Sequence, residues 1–157
     1  KEWNHDQSLD WHLLEHQSHN GIQNTVKTLN EVYTSTPALY ELDSEPAGFS
    51  WIDNQNAQQS IFSFVRYAKK ASDYVVVVCN LTPNVYQGYQ IGVPSNGHFE
   101  VVLNTDDELL FGSGVKVSDG LIATEASPSH GHQNSVLITL PPLATVYLKK
   151  VCNESIN

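Results

Sequence analysis

Two histidines and a glutamate near the N-terminus follow the spacing H-x-x-E-H, in the run His12-Leu13-Leu14-Glu15-His16. Histidines four residues apart lie on one face of an α-helix, where both imidazoles could bind one zinc ion. A zinc peptidase also needs a third protein ligand and groups that orient the imidazoles, and this sequence points to no such ligand. We therefore keep a zinc peptidase as a minor alternative and predict no metal site.

The same segment mixes aromatic and polar side chains, at Trp3, His5, Asp6 and Trp11. The CH faces of sugars stack on indole rings, while sugar hydroxyl groups hydrogen-bond to carboxylates and imidazoles. The mixture therefore suits a carbohydrate ligand. A short helix anchored by buried tryptophans would give the same pattern, and for Trp11 the two interpretations are equally supported.

Other motifs for chemistry do not occur in the sequence. It has no G-x-S-x-G elbow, no phosphate-binding glycine loop and no C-x-x-C pair. Its 17 acidic residues allow many acid/base pairings, but the sequence alone cannot bring two carboxylates to the separation that a glycosidase requires. We assign no catalytic residue and expect no cofactor.

Composition excludes several classes of partner. The formal net charge is -9 and basic residues are not clustered, which argues against nucleic acid and anionic membranes as partners. No apolar stretch reaches the length of a membrane span, and no secretory signal is apparent, so we predict a cytoplasmic protein. Cys79 and Cys152 are accordingly expected to be reduced thiols.

The first 45 residues or so have a helical pattern. Ser8 can cap a short helix over residues 9–15, and Asn20 with Gln23 can form a capping box for a second helix that Pro37 ends. Apolar residues recur in the second helix at a spacing that makes one stripe, which needs a partner surface. The stripe consists of Ile22, Val26, Leu29, Val32 and Tyr33.

From about Phe49 onward the pattern changes to short strands separated by turn residues. A chain of seven or so short strands without intervening helices is typical of an antiparallel β-sandwich. We therefore predict a mainly β protein in which a short helical segment precedes an all-β unit. The predicted strands cover residues 60–67, 74–80, 89–93, 99–103, 121–125, 136–140 and 145–150.

The start of the sequence adds a further expectation. The chain begins with Lys1 and contains no methionine, and it opens abruptly into a motif-rich run. These features predict a piece cut from a longer protein.

Many short runs occur in the same order as in the bacterial glycogen branching enzymes (1,4-α-glucan branching enzymes), which this sequence closely resembles along nearly its whole length. The N-terminal runs are Glu2-Trp3-Asn4-His5-Asp6, Ser8-Leu9-Asp10-Trp11, Pro37-Ala38-Leu39, Glu41-Leu42-Asp43 and Trp51-Ile52-Asp53. The later runs are Val78-Cys79-Asn80, Ile91-Gly92-Val93-Pro94, Leu103-Asn104-Thr105-Asp106, Gly112-Ser113 and Thr139-Leu140-Pro141-Pro142-Leu143-Ala144.

The resemblance implies the C-terminal portion of an α-amylase-type enzyme, in which a (β/α)8 barrel is followed by an antiparallel sandwich. Residues 1–47 would then be the last loop and helix of the barrel, and residues 48–157 the C-terminal all-β sandwich. The missing catalytic barrel would be the partner surface that the helical stripe needs.

Members of that family cut an α-1,4 linkage in a glucan and transfer the freed segment to a 6-hydroxyl group, without a cofactor. Their catalytic carboxylates lie in barrel motifs that this sequence lacks, so the resemblance implies that the chain alone is inactive. It also implies α-glucan partners (glycogen, amylose, maltooligosaccharide) and a role for Trp3, His5, Asp6 and Trp11 at the rim of the active site. The alternatives are a stand-alone α-glucan-binding module, a zinc peptidase and a purely structural domain.

Overall fold

A computed structural model describes residues 2–151 of the chain. The predictions of a reduced thiol at Cys152 and of a sandwich that continues to residue 157 therefore lie partly outside the described residues. No helix within residues 2–151 is long and apolar enough to cross a bilayer.

Two antiparallel sheets form the larger part of the structure, as predicted. The strands are β1 (Phe49–Asp53), β2 (Ile61–Tyr67), β3 (Tyr74–Asn80), β4 (Tyr86–Val93), β5 (His98–Asn104), β6 (Ile122–Ala123), β7 (Asn134–Leu140) and β8 (Thr145–Lys150). One sheet has the order β1-β2-β3-β8-β5-β6, and β4 pairs with β7 in the other. The prediction of a mainly β sandwich preceded by a helix is confirmed.

The main core lies between the inner faces of these two sheets. On β3, Val76 and Val78 point inward opposite Leu148 and Val146 of β8, and the small sheet contributes Ile91. Each of these side chains is fully buried. Burial of aliphatic and aromatic side chains between facing sheets supplies the main free energy that holds a sandwich together.

Strand β3 is buried on its outer face as well. Val75, Val77 and Cys79 pack there against Ala38 of the segment that follows the helix. A strand that is covered on both faces needs no polar alternation, which explains the continuous apolar run in this part of the sequence. The helical segment therefore lies on the outer face of the six-stranded sheet.

The long helix α1 (Gln17–Ser35) presents its polar side to the rest of the described residues. Gly21 is buried, and Thr25 and Thr28 are half-buried. The predicted stripe faces away from the sandwich: Ile22 is 68% exposed and Val26 is 53% exposed. Only Val32 of the predicted stripe is half-buried. The helix is thus amphipathic with its apolar side uncovered by the described residues, which agrees with the expectation that it needs a partner surface.

Predicted helix boundaries and caps were wrong. Residues 9–15 form only a 3₁₀ turn, Trp11–Glu15, and α1 begins at Gln17 rather than at Asn20. The side chain of Asn20 accepts a hydrogen bond from Asn24 Nδ2 at 2.8 Å and makes no cap. One additional turn of helix gains backbone hydrogen bonds, and this gain outweighs a local capping preference of about 1 kcal/mol.

Strand predictions were better, because a continuous apolar run of β-formers, as in β3, and alternating burial, as in β8, are both strong local signals. The predicted ranges 74–80 and 145–150 match β3 and β8. Strand β1 was missed, since it is short and its register with β2 is interrupted between Trp51 and Asp53. The predicted strand 121–125 is reduced to β6, and Glu125 forms only an isolated bridge with Ser135.

Candidate functional site

The N-terminal loop holds three of the four predicted rim residues together. The side chain of Asn4 accepts a hydrogen bond from the backbone N–H of Asp6 at 3.0 Å, which makes an Asx turn. This turn brings the rings of Trp3 and His5 to a centroid distance of 5.9 Å, and His5 Nε2 lies 3.1 Å from Asp6 Oδ1. An indole face, an imidazole and a carboxylate are therefore adjacent.

An open cavity of about 550 Å³ lies inside this loop, and Trp3 and His5 are among its lining residues. Trp3 is 83% exposed. Trp11 lies outside the cavity lining, at the start of the 3₁₀ turn, and is 59% exposed. The alternative in which buried tryptophans anchor a short helix is therefore wrong for the described residues. The loop instead offers aromatic faces and hydrogen-bonding edges to solvent.

The zinc-peptidase pattern lacks the helix that it needs. His12 lies in the 3₁₀ turn, whereas His16 is an extended residue between that turn and α1. The two imidazoles therefore do not share one α-helical face. Among residues 2–151, no group of three or more His, Cys, Asp or Glu side chains is arranged to hold a metal ion.

Four aromatic side chains form a cluster on the outer face of β1 and β2, which the sequence did not predict. We call Phe49, Trp51, Phe62 and Phe64 the aromatic cluster. Trp51 lies opposite Phe64 in the strand register and is 50% exposed. Its ring meets Phe49 edge-on at a centroid distance of 5.0 Å and Phe64 at 5.9 Å. The period-2 pattern of aromatics in F-S-W and F-S-F would have indicated it, had β1 been recognised.

A groove of about 390 Å³ lies between α1 and the outer face of the six-stranded sheet, and Phe64 is the member of the aromatic cluster that lines it. Leu29 and Tyr33 line it from the helix, and Phe64, Val77 and Tyr147 line it from the sheet. Burial raises the pKa of Tyr147, the thiol of Cys79 raises it further, and the guanidinium of Arg66 acts in the opposite direction. The phenol therefore stays neutral at physiological pH.

Arg66 and Asp43 are the charged residues among those that line this groove, and they form an ion pair. Arg66 Nη2 donates to Asp43 Oδ1 at 2.6 Å and to the carbonyl of Leu39 at 3.5 Å. The Nε of Arg66 is buried and has no acceptor among residues 2–151. A buried donor without an acceptor is uncommon and calls for an explanation.

His130 lies between the two sheets and contacts both of them. Its Nδ1 accepts a hydrogen bond from the N–H of Gly92 on β4, and its Nε2 lies 3.7 Å from Asp53 Oδ2 on β1. Burial lowers the pKa of the neighbouring His132, and the proximity of His130 lowers it further. The contacts of His130 therefore have a structural role.

Asp106, one of the 17 acidic residues, has a structural role as well. Its buried carboxylate accepts hydrogen bonds from the N–H of Ser113 at 2.7 Å, from the N–H of Val115 at 3.0 Å and from the Ser113 hydroxyl. These bonds close a loop whose Phe111 packs beside Gly21 of α1. The carboxylate thus links the sandwich to the helix.

Comparison with known proteins identifies the relatives of the chain. Residues 51–151 match the family described as alpha amylase, C-terminal all-beta domain. The chain is 47% identical over 149 residues to a 1,4-alpha-glucan branching enzyme, GlgB, of Rhodospirillum rubrum, which covers 95% of this chain and 20% of that protein. The protein of the same name in Rubrobacter xylanophilus is 47% identical, and the match covers 95% of this chain and 20% of that protein. The one in Aquifex aeolicus is 46% identical, and the match covers 95% of this chain and 24% of that protein.

The chain thus spans about a fifth to a quarter of the length of these relatives. The resemblance noted in the sequence is confirmed by these matches. The zinc-peptidase and stand-alone-module alternatives are not favoured.

Proposed function

The chain belongs to the alpha amylase C-terminal all-beta domain family, and from this premise we propose that it is the C-terminal portion of a glycogen branching enzyme. The proposal rests on one observation: over 95% of its length, the chain is 47% identical in sequence to a branching enzyme. The parent enzyme would cleave an α-1,4 linkage in a glucan and transfer the freed segment to a 6-hydroxyl group. Its location would be cytoplasmic.

Within that enzyme, residues 1–47 would be the last loop and helix of the catalytic barrel, and residues 48–157 the sandwich that follows it. The orientation of α1 supports this division. A helix that turns Gly21 and Thr25 toward the sandwich and leaves Ile22 and Val26 uncovered is suited to packing between two bodies. The sandwich has its own buried core, and α1 would belong to the barrel.

The N-terminal loop would contribute to the rim of the active site. Loops that follow barrel strands build the active sites of such barrels, and this loop directly precedes the proposed last barrel helix. Trp3 and Trp11 would stack on glucose units, and His5 and Asp6 would hydrogen-bond to sugar hydroxyl groups. The residues that break and form glycosidic bonds would lie elsewhere in the parent enzyme, so this chain would position glucan without acting on it.

A chimera tests the proposal directly. The segment of the Rhodospirillum rubrum relative that matches this chain would be replaced by the chain itself, and branching would be followed as the loss of iodine colour of amylose. We expect the chimera to branch amylose and the same relative without the segment to be inactive. A soluble, folded chimera that is no more active than the truncated protein would contradict the proposal.

The rim residues have their own test in the same chimera. Trp3→Ala should reduce the branching rate by up to about tenfold, because one aromatic stacking contact contributes about 0.5–1.5 kcal/mol. Leu143→Ala, at an exposed residue of the loop between β7 and β8, is the matched control and should leave the rate unchanged. If the two variants branch amylose at equal rates, Trp3 does not contribute to the active-site rim.

A further inference from the structure

Three pairs of neighbouring residues join an asparagine or aspartate to a glycine: Asn20-Gly21, Asn96-Gly97 and Asp119-Gly120. At such a pair, the backbone nitrogen of the glycine can attack the side-chain carbonyl carbon of the preceding residue. Glycine favours this attack because it has no Cβ to hinder it and few limits on its backbone dihedral angles. The sequence therefore offers three sites for one covalent modification, and the fold decides which of them can react.

The modification rearranges the backbone at the attacked residue. At Asp119, the nitrogen of Gly120 forms a bond to Cγ and loses its proton, while the protonated carboxyl group releases water and a succinimide ring closes. Water then opens the ring again. Hydrolysis at the backbone carbonyl leaves isoaspartate, in which the chain runs through Cγ, and hydrolysis at Cγ restores aspartate. At an asparagine, ammonia leaves in place of water.

Helix α1 protects the pair Asn20-Gly21. The N–H of Gly21 donates within the helix to the carbonyl of Gln17, four residues earlier. Gly21 is also buried, and Phe111 packs beside it. The attack therefore needs local opening of this helical turn, which lowers the rate in the folded chain.

Two hydrogen bonds to Thr124 protect the pair Asn96-Gly97, although Asn96 is exposed. The N–H of Gly97 donates to Thr124 Oγ1 at 3.0 Å, and the carbonyl of Gly97 accepts from the N–H of Thr124 at 3.0 Å. The nitrogen that must attack is therefore engaged. Breaking one hydrogen bond of ordinary strength slows a reaction by up to about tenfold.

The pair Asp119-Gly120 has neither kind of protection. The side chain of Asp119 is 97% exposed, and a Cβ on Gly120 would meet no atom within 4 Å. The N–H of Gly120 donates no hydrogen bond within residues 2–151, and its carbonyl accepts from the hydroxyl of Ser118 at 2.7 Å. The contact of Asp119 with Lys116 Nζ, at 4.0 Å, is an exposed ion pair and restrains the side chain little.

From these contacts we propose that Asp119 is a modification site at which the folded chain forms isoaspartate. Thr124 protects Asn96 from the corresponding reaction, and α1 protects Asn20. The product lengthens the backbone of this loop by a methylene group and leaves a free α-carboxylate on it. The inference does not depend on the proposed function.

Ageing of the 157-residue chain tests the proposal. The chain would be incubated in native buffer and in guanidinium chloride at the same pH and temperature, and the products would be quantified in proteolytic peptides by electron-transfer fragmentation. For each pair, the ratio of the unfolded to the folded rate removes the intrinsic difference between asparagine and aspartate. We expect this ratio to stay within about threefold of unity at Asp119 and to be about tenfold or more at Asn96 and Asn20. A ratio at Asp119 as large as that at Asn96 would overturn the site.

Two variants test the causes. Thr124→Val removes the acceptor of the Gly97 N–H and should raise the folded-state rate at Asn96 by about two- to tenfold, with Asp119 unchanged. Continued protection of Asn20 shows that this variant is folded, and an unchanged rate at Asn96 would overturn the role of Thr124. Gly120→Ala adds a Cβ in open space and should slow isoaspartate formation at Asp119 by about tenfold, because the methyl group hinders the attack.

Discussion

Replacing Asp106 with alanine should lower the free energy of unfolding by about 2–4 kcal/mol. The buried carboxylate accepts hydrogen bonds from the N–H groups of Ser113 and Val115 and from the Ser113 hydroxyl. Alanine would leave two backbone donors without an acceptor, and each such donor costs about 1–3 kcal/mol when it is buried. We use the lower part of that range because Ser113 is exposed, so that water can replace part of the lost bonding.

Two further variants separate the hydrogen bonds from the loss of atoms. Asp106→Asn keeps one oxygen for Ser113 but presents an amide NH₂ toward the donors, and should cost about half as much as alanine. Asp107→Ala removes an exposed cap, whose carboxylate accepts from the N–H of Leu109 at 2.9 Å, and should cost about 1 kcal/mol.

Urea unfolding of the 157-residue chain measures these differences. With a denaturant slope of about 2 kcal/mol/M, in the middle of the usual range, the alanine variant at Asp106 should unfold at a urea concentration lower by about 1–2 M. If Asp106→Ala destabilises the protein no more than Asp107→Ala, the account of the loop as a hydrogen-bonded link between sandwich and helix is refuted.

Three other predictions concern packing and titration. Gly21→Ala should destabilise the chain by about 1–3 kcal/mol in urea unfolding, because a Cβ there would overlap Phe111 Cβ. Gly120→Ala, where a Cβ meets nothing within 4 Å, should be nearly neutral. The pKa of His132 is lowered by burial, so the unfolded state binds the additional proton, and stability should fall as the pH drops through about 6.5. In the His132→Gln variant, the urea concentration at the midpoint of unfolding should change less between pH 7.5 and 5.5 than it does in the unaltered chain. An equal change in both proteins would contradict this assignment. Burial raises the pKa of the Cys79 thiol, so Cys79 should react with iodoacetamide slowly in native buffer and rapidly in urea, as measured on the peptide that contains it. Equal rates in the two solutions would contradict the burial of Cys79.

The sandwich was predictable because its strands carry strong local signals. β3 is a run of apolar β-formers and β8 alternates in burial, and both ranges were predicted correctly. The apolar stripe of α1 was also visible from helical spacing, although the sequence could not tell which side of the helix would meet the sandwich. That choice depends on close packing at Gly21, which is a tertiary contact with the loop of Phe111.

The aromatic cluster and the contacts of His130 could not be predicted, because they depend on contacts between segments that are distant in the sequence. Trp51 joins Phe64 only because β1 pairs with β2, and β1 is a short strand with an irregular register. His130 meets Gly92 and Asp53 through a loop that has no periodicity of its own. Local patterns contain no information about such contacts, because the contacts form only when the two sheets close.

The most direct test of the central claim is the size of the polypeptide in the cell. An antibody raised against this chain would be used on lysate of the organism that encodes it. If the chain is part of a branching enzyme, the antibody should detect one band about five times heavier than 17.4 kDa, since the chain covers 20% of the Rhodospirillum rubrum relative. A single band at 17.4 kDa would contradict the account, because the cell would then make this portion by itself.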